Sequence, residues 1–125
     1  MSTEEKLLTV TEEAGADLSA KQYLFHVMSS DGQIDPCSVE GEVAYGVLQN
    51  KPDAAGKAAT VAWGGVSKIV LGADSMTPGM KIQTSDAGKA LEAAVGDAVL
   101  GTLRKGGDTN EIGEILLSPV TNLAS

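Results

Sequence analysis

His26 and Cys37 are the only histidine and the only cysteine of the chain, and any nucleophilic chemistry would have to begin with them. A thiolate generated by a neighbouring imidazole is a competent nucleophile, but here the fold would have to bring the two together. A lone histidine without a second ligand at metal spacing holds no zinc. We therefore expect a satisfied or surface role for His26 and an ordinary free thiol at Cys37, with no disulfide framework. Asp31-Gly32 and Asp86-Ala87-Gly88 offer one acidic side chain per turn, where a calcium loop needs several oxygen ligands at close spacing. Gly64-Gly65-Val66-Ser67-Lys68 lacks the glycine-to-lysine spacing of a phosphate-binding loop. Glu111 and Glu114 could meet as paired carboxylates, yet no aromatic or basic cleft accompanies them. The expectation is a protein that is not an enzyme and takes no cofactor or metal.

From Lys21 onward the residues follow β-sheet grammar. In Tyr23–Met28 alternate residues fall on opposite faces, and Ser29-Ser30-Asp31-Gly32 makes a turn. Gln33-Ile34-Asp35 is a short return strand stopped by Pro36, and a strand over Val43–Gln49 ends at Asn50-Lys51-Pro52. Ala59–Trp63 and Val66–Leu71 flank Gly64-Gly65, a two-residue hairpin signature. Thr77-Pro78-Gly79 suits a type II turn before a strand over Met80–Thr84. Lys89–Ala93 is a weak strand, or one helical turn at Ala90–Ala94. Strands over Asp97–Leu103 and Ile112–Leu117 complete the chain before Pro119. About eight short strands with frequent turns predict an all-β fold, a small barrel or sandwich.

Two stretches repeat one another. Tyr45-Gly46-Val47-Leu48-Gln49-Asn50-Lys51-Pro52 is echoed by Leu100-Gly101-Thr102-Leu103-Arg104-Lys105-Gly106, an offset of 55 from Gly46 to Gly101. The same offset sets Ser30-Asp31 on Ser85-Asp86, Val27 on Ile82, Leu48 on Leu103 and Val61 on Leu116. A degenerate duplication produces such matches, and so does hairpin grammar shared by two unrelated halves.

Residues 1–20 differ in texture. Ser2 or Thr3 could cap a short helix with Glu5 reaching back, and Leu7, Leu8 and Val10 form a small apolar cluster. Thr11–Asp17 is polar and breaks any continuation. The segment reads as an arm that orders only against a partner, or as a tail without a role. Domain organisation is then an arm over 1–20, a β domain over 21–119 and a tail over 120–125. Leu7, Leu8, Val10 and Leu18 are the arm's candidate contacts. Trp63, beside the hairpin glycines, is either an interface anchor or a core cap, and Tyr45 is a second interface candidate.

Composition limits the partners. The chain has 125 residues, 42% hydrophobic and 3% aromatic, with 15 glycines, so a thin core of Val, Ile, Leu, Ala and Met is expected. The net charge is −8, and no Lys/Arg cluster exists to bind a phosphate backbone. No apolar run reaches membrane-span length, and the first residues do not form a secretory signal.

One series of segments carries a resemblance. It comprises Ala14–Phe25, Ser30-Asp31-Gly32, Tyr45–Pro52, Ala59–Ala62, Gly65–Lys68 and Thr84–Gly88. It resembles the small capsid decoration (cement) proteins of tailed bacteriophages and prophages over residues 14 to 118, and is similar to lambda-type head decoration proteins. The resemblance implies a β-barrel or β-tulip-like domain of short antiparallel strands with an extended N-terminal arm. It implies binding to the major capsid protein on the outer surface of the phage head, as a trimer or dimer, with no catalytic residues. The virion is then its location and the host cytoplasm its place of synthesis. A competing expectation is a tail-associated or surface adhesion domain that binds a receptor or glycan.

Overall fold

The structure, a computed structural model, describes residues 7–117. The described residues hold β1 (Leu8–Ala14), β2 (Phe25–Met28), β3 (Gln33–Pro36), β4 (Gly46–Leu48), β5 (Ala58–Val70), β6 (Lys81–Thr84), β7 (Ala90–Glu92), β8 (Gly101–Lys105) and β9 (Ile112–Leu117), with no helix. The expected all-β class is the class adopted. The strands form one sheet in the order β1-β3-β2-β4-β5-β9-β8-β6-β7, and β1 pairs with β5 as well. That additional pairing closes β1, β3, β2, β4 and the first half of β5 into a ring of five strands. Every ladder in the ring is antiparallel except β1 with β3, where Glu13 lies beside Gln33 and Ala14 beside Ile34.

The second half of the chain draws the same ring again. Gly65–Val70 of β5 pairs with β9, β9 with β8, β8 with β6 and β6 with β7. A parallel bridge from Leu71 to Ala90 then returns to the start, in the place of Ala14 beside Ile34. The pairs His26–Pro36, Val27–Asp35 and Met28–Ile34 have as counterparts Ile82–Glu92, Gln83–Leu91 and Thr84–Ala90. Loop bonds repeat too. Tyr45 N–H donates to the His26 carbonyl as Leu100 N–H does to that of Ile82, both at 2.7 Å, and Ala14 N–H donates to Lys57 as Leu71 N–H does to Glu111, both at 2.9 Å. The chain is therefore an internal structural repeat. The offset of 55 is right for Gly46 with Gly101 and for Leu48 with Leu103. It is one residue out for Val27, whose counterpart is Gln83, and for Val61, whose counterpart is Ile115.

Small residues let these rings fill. Ala14, Leu18, Ile34, Leu48, Ala59 and Val61 pack the first ring. A larger cluster joins Ile69, Leu71, Ile82, Leu103 and Ile115 of the second ring to Phe25, Val47 and Ala62 of the first, so it is also the seam between the halves. Each fully buried Ile or Leu contributes about 1.5–3 kcal/mol.

Two expectations are corrected. Gly64-Gly65 is not a hairpin turn, because β5 runs through it as one strand of 13 residues. Gly65 has φ of 86°, and glycine inside a strand marks a bend or bulge as readily as a turn. Here it marks the point where β5 leaves one ring and enters the other. Leu8–Ala14, expected to order only against a partner, is a strand of the sheet paired on both edges. Two ladders satisfy its backbone groups, which outweighs the weak local propensity of a polar segment. The Ser2 or Thr3 cap and the tail over 120–125 lie outside the described residues. The Lys89–Ala93 alternative resolves as strand, since Ala90–Glu92 pairs with β6.

Candidate functional site

The joint in β5 gathers much of the exposed apolar surface. Leu8 pairs with Gly64 and Thr9 with Ala62, which leaves Trp63 as the extra residue of a β-bulge. Bulges re-aim a side chain, and Trp63 is 42% exposed although its neighbours Ala62 and Gly64 are buried. On the other side of β5, Leu117 pairs with Gly65 and Leu116 with Val66. Leu7, Leu8, Trp63 and Leu116 are all exposed large apolar residues, and the ladders place Leu8 and Leu116 on the two strands that flank β5 near this joint.

Of the expected interface residues, Leu7, Leu8 and Trp63 meet at this joint. Val10 stands half-buried opposite Val61. Leu18 is 1% exposed and packs inside the first ring, so it serves the core. Tyr45 packs against that ring, and its hydroxyl donates to Glu12 Oε2 at 2.6 Å. The bond to the carboxylate raises the phenol above its ordinary value. Tyr45 also lines an open groove of about 440 Å³ with Val27, Met28, Glu42, Val43 and Ala44. Leu116 was not anticipated. The adjacent pair Leu116-Leu117 carried the signal, because consecutive strand residues point to opposite faces and one of them has to face out.

The residues considered for chemistry are placed apart. His26 lies opposite Pro36, and Cys37 N–H donates to the Phe25 carbonyl at 3.0 Å. Alternation then sends the imidazole and the thiol to opposite faces, and Cys37 joins Phe25 in the seam. His26 is fully buried, with Nδ1 hydrogen-bonded to the Leu24 carbonyl at 2.8 Å and Nε2 without a partner. Desolvation lowers its pKa, partly opposed by the Leu24 bond. Burial pushes the Cys37 thiol up to about 12, so it is protonated and inert. Lys68 holds its ammonium 5.7 Å from the centre of the Tyr23 ring. Asp31 accepts from Ser29 Oγ and from Gln33 N–H within its turn. Glu111 accepts from Asp108 N–H at 2.7 Å, whereas Glu114 is paired with Arg104 at 2.8 Å. Lys68, Asp31, Glu111 and Glu114 each have a local structural partner. No group of three or more His, Cys, Asp or Glu residues suited to a metal ion occurs among the described residues.

No protein-family model and no curated protein matches the chain in sequence. Among solved structures, the N base of the head fiber gp8.5 of bacteriophage phi29 is similar in fold. Its TM-score is 0.66 at 16% sequence identity, covering 94% of this chain and 98% of that one.

Proposed function

We propose that this protein decorates the outer surface of a tailed-bacteriophage head, where it binds the major capsid protein and bridges neighbouring subunits against internal pressure. The observation that carries this reading is the end-to-end likeness of fold to the base of a phage head fiber. That neighbour is a fiber base rather than a lambda-type decoration protein, so the likeness supports attachment to a head more than any one style of decoration.

The apolar joint supplies the contact. Trp63 is exposed at the joint, with Leu8 and Leu116 on the flanking strands, and an aromatic of this size is the usual anchor once an interface buries it. Aliphatic neighbours exclude water around it. One such patch binds weakly once association costs are met, and a homo-oligomer, a trimer in this reading, multiplies it through effective concentration. No catalytic role is assigned to any residue. A scarce tail adhesin is separated from an abundant head protein by copy number in purified virions relative to the major capsid protein.

The test uses heads stripped of this protein and the full purified chain. Wild type rebinds, and Trp63→Ala or Leu8→Asp weakens rebinding by at least about tenfold, the scale of a hot-spot loss, with the fold retained by circular dichroism at the assay temperature. Failure of the wild-type chain to bind any head would overturn the reading.

A further inference from the structure

The internal repeat exposes a contact that is made once and could be made twice. The loop after β3 in the first ring corresponds to the loop after β7 in the second. Glu42 N–H donates to the Val39 carbonyl as Asp97 N–H does to that of Ala94, and Gly41 and Gly96 share positive φ of 78° and 88°. Gly41 stitches the first ring to the second. Its N–H donates to the Thr84 carbonyl at 3.0 Å, and its carbonyl accepts from Ala98 N–H at 3.1 Å. Under this cover the second-ring residues Gln83, Thr84, Ala98 and Leu100 are at most 3% exposed.

Their first-ring counterparts are Val27, Met28, Val43 and Tyr45, the residues that line the open groove. No described residue covers them, and Met28 and Val43 are 38% and 59% exposed. The groove is more apolar at these positions than the covered site it matches. The loop that would cover it is Ala94-Val95-Gly96, and it projects from the far end of the repeat with Val95 81% exposed. Within one chain this loop makes no backbone hydrogen bond to the groove, and Val95 and Val43 both stay exposed.

We propose that a second copy of this chain fills the groove, continuing between molecules the contact that already joins the two rings within one. Gly96 of one copy takes the place of Gly41. Its N–H donates to the Met28 carbonyl of the next copy, and its carbonyl accepts from that copy's Val43 N–H. The contact is head-to-tail, so each copy offers one loop and one groove, and such contacts close into cycles or run on as filaments. Glu42 in the groove and Asp97 in the loop repel, as does the overall charge of −8, so association strengthens with salt. The inference rests on the repeat and does not depend on attachment to a head.

The test is sedimentation equilibrium of the full chain over a range of concentration at high salt. Wild type gains mass with concentration. Met28→Glu spoils the groove and Val95→Asp spoils the loop, and each weakens self-association by at least about tenfold. Both side chains are exposed, so both variants melt like wild type. Mixing the two variants restores a one-to-one complex, because an intact loop on one meets an intact groove on the other. A wild-type chain that stays monomeric, association indifferent to either substitution, or no complex in the mixture would each overturn the proposal.

Discussion

Tyr23 and Gly79 occupy the same backbone position in the two halves. Tyr23 N–H donates to the Leu48 carbonyl and Gly79 N–H to that of Leu103, both at 2.8 Å, and their φ values are 65° and 95°. One half places glycine where the left-handed conformation is needed. The other places a bulky aromatic there, and holds it with the Lys68 ammonium over its ring.

This asymmetry predicts unequal responses. A Cβ at Gly79 would meet no atom within 4 Å, so Gly79→Ala costs only the left-handed conformation, about 1–2 kcal/mol. Tyr23→Gly relieves that same strain while losing ring contacts, and stays within about 1 kcal/mol of wild type, well short of a core aromatic truncation. Urea unfolding of both variants checks the pair.

Gly46 and Gly101 are a second matched pair, and they predict the same outcome twice. A Cβ at Gly46 would overlap the Ala62 carbonyl, and one at Gly101 the Leu116 carbonyl. Gly46→Ala and Gly101→Ala each force two strands apart, at a cost of about 3 kcal/mol or more from overpacking. Parallel losses of similar size in thermal melts are expected, and a neutral result at either site would contradict the ring packing.

His26 predicts an acid response. Its native pKa lies below the ordinary imidazole value of 6.5, because burial disfavours the charged form. As pH falls through that value the unfolded chain takes up a proton that the native chain resists, so this residue contributes a loss of stability below pH 6.5 and nothing well above it. Ile82 holds the corresponding place in the second half, which makes His26→Ile a natural substitution. The Leu24 carbonyl also accepts from Leu48 N–H, so no acceptor is orphaned. Removing the unpartnered Nε2 raises stability by about 1 kcal/mol or more and flattens the difference between melts at pH 5 and pH 7.

Cys37 predicts silence. It is 2% exposed and its pKa is pushed up to about 12, so a colorimetric thiol reagent at neutral pH reacts slowly with native protein and rapidly once urea unfolds it. Fast reaction of the native chain would place the thiol elsewhere than in the seam.

The strands and most turns could be read directly, because Pro, Gly and alternation mark them locally. The turn at Ser29–Gly32 closes with Gly32 N–H on the Ser29 carbonyl, and Ile112–Leu117 is a strand over its full expected range. What escaped reading was long-range. Gly64-Gly65 looks the same in a hairpin and in a bent strand, and only the pairing of β1 and β9 on either side of β5 decides. The polar Thr11-Glu12-Glu13 carries no strand signal of its own until β3 and β5 flank it. Three of the four candidate-site residues, Leu7, Leu8 and Trp63, were visible in the sequence, but the bulge that turns Trp63 outward depends on register with a strand far away in sequence.

One strand, β5, finishes the first ring and begins the second. A load applied between the halves is therefore carried along a continuous peptide backbone, with β1 and β9 hydrogen-bonded along its two segments as lateral reinforcement. Adjacent domains held by a linker can swing or peel, but these two share one continuous strand with a bend at Gly65 in place of a linker. Pulled from its two ends, such a molecule would resist as a single stiff unit, and stretching it would require shearing ladders along their length.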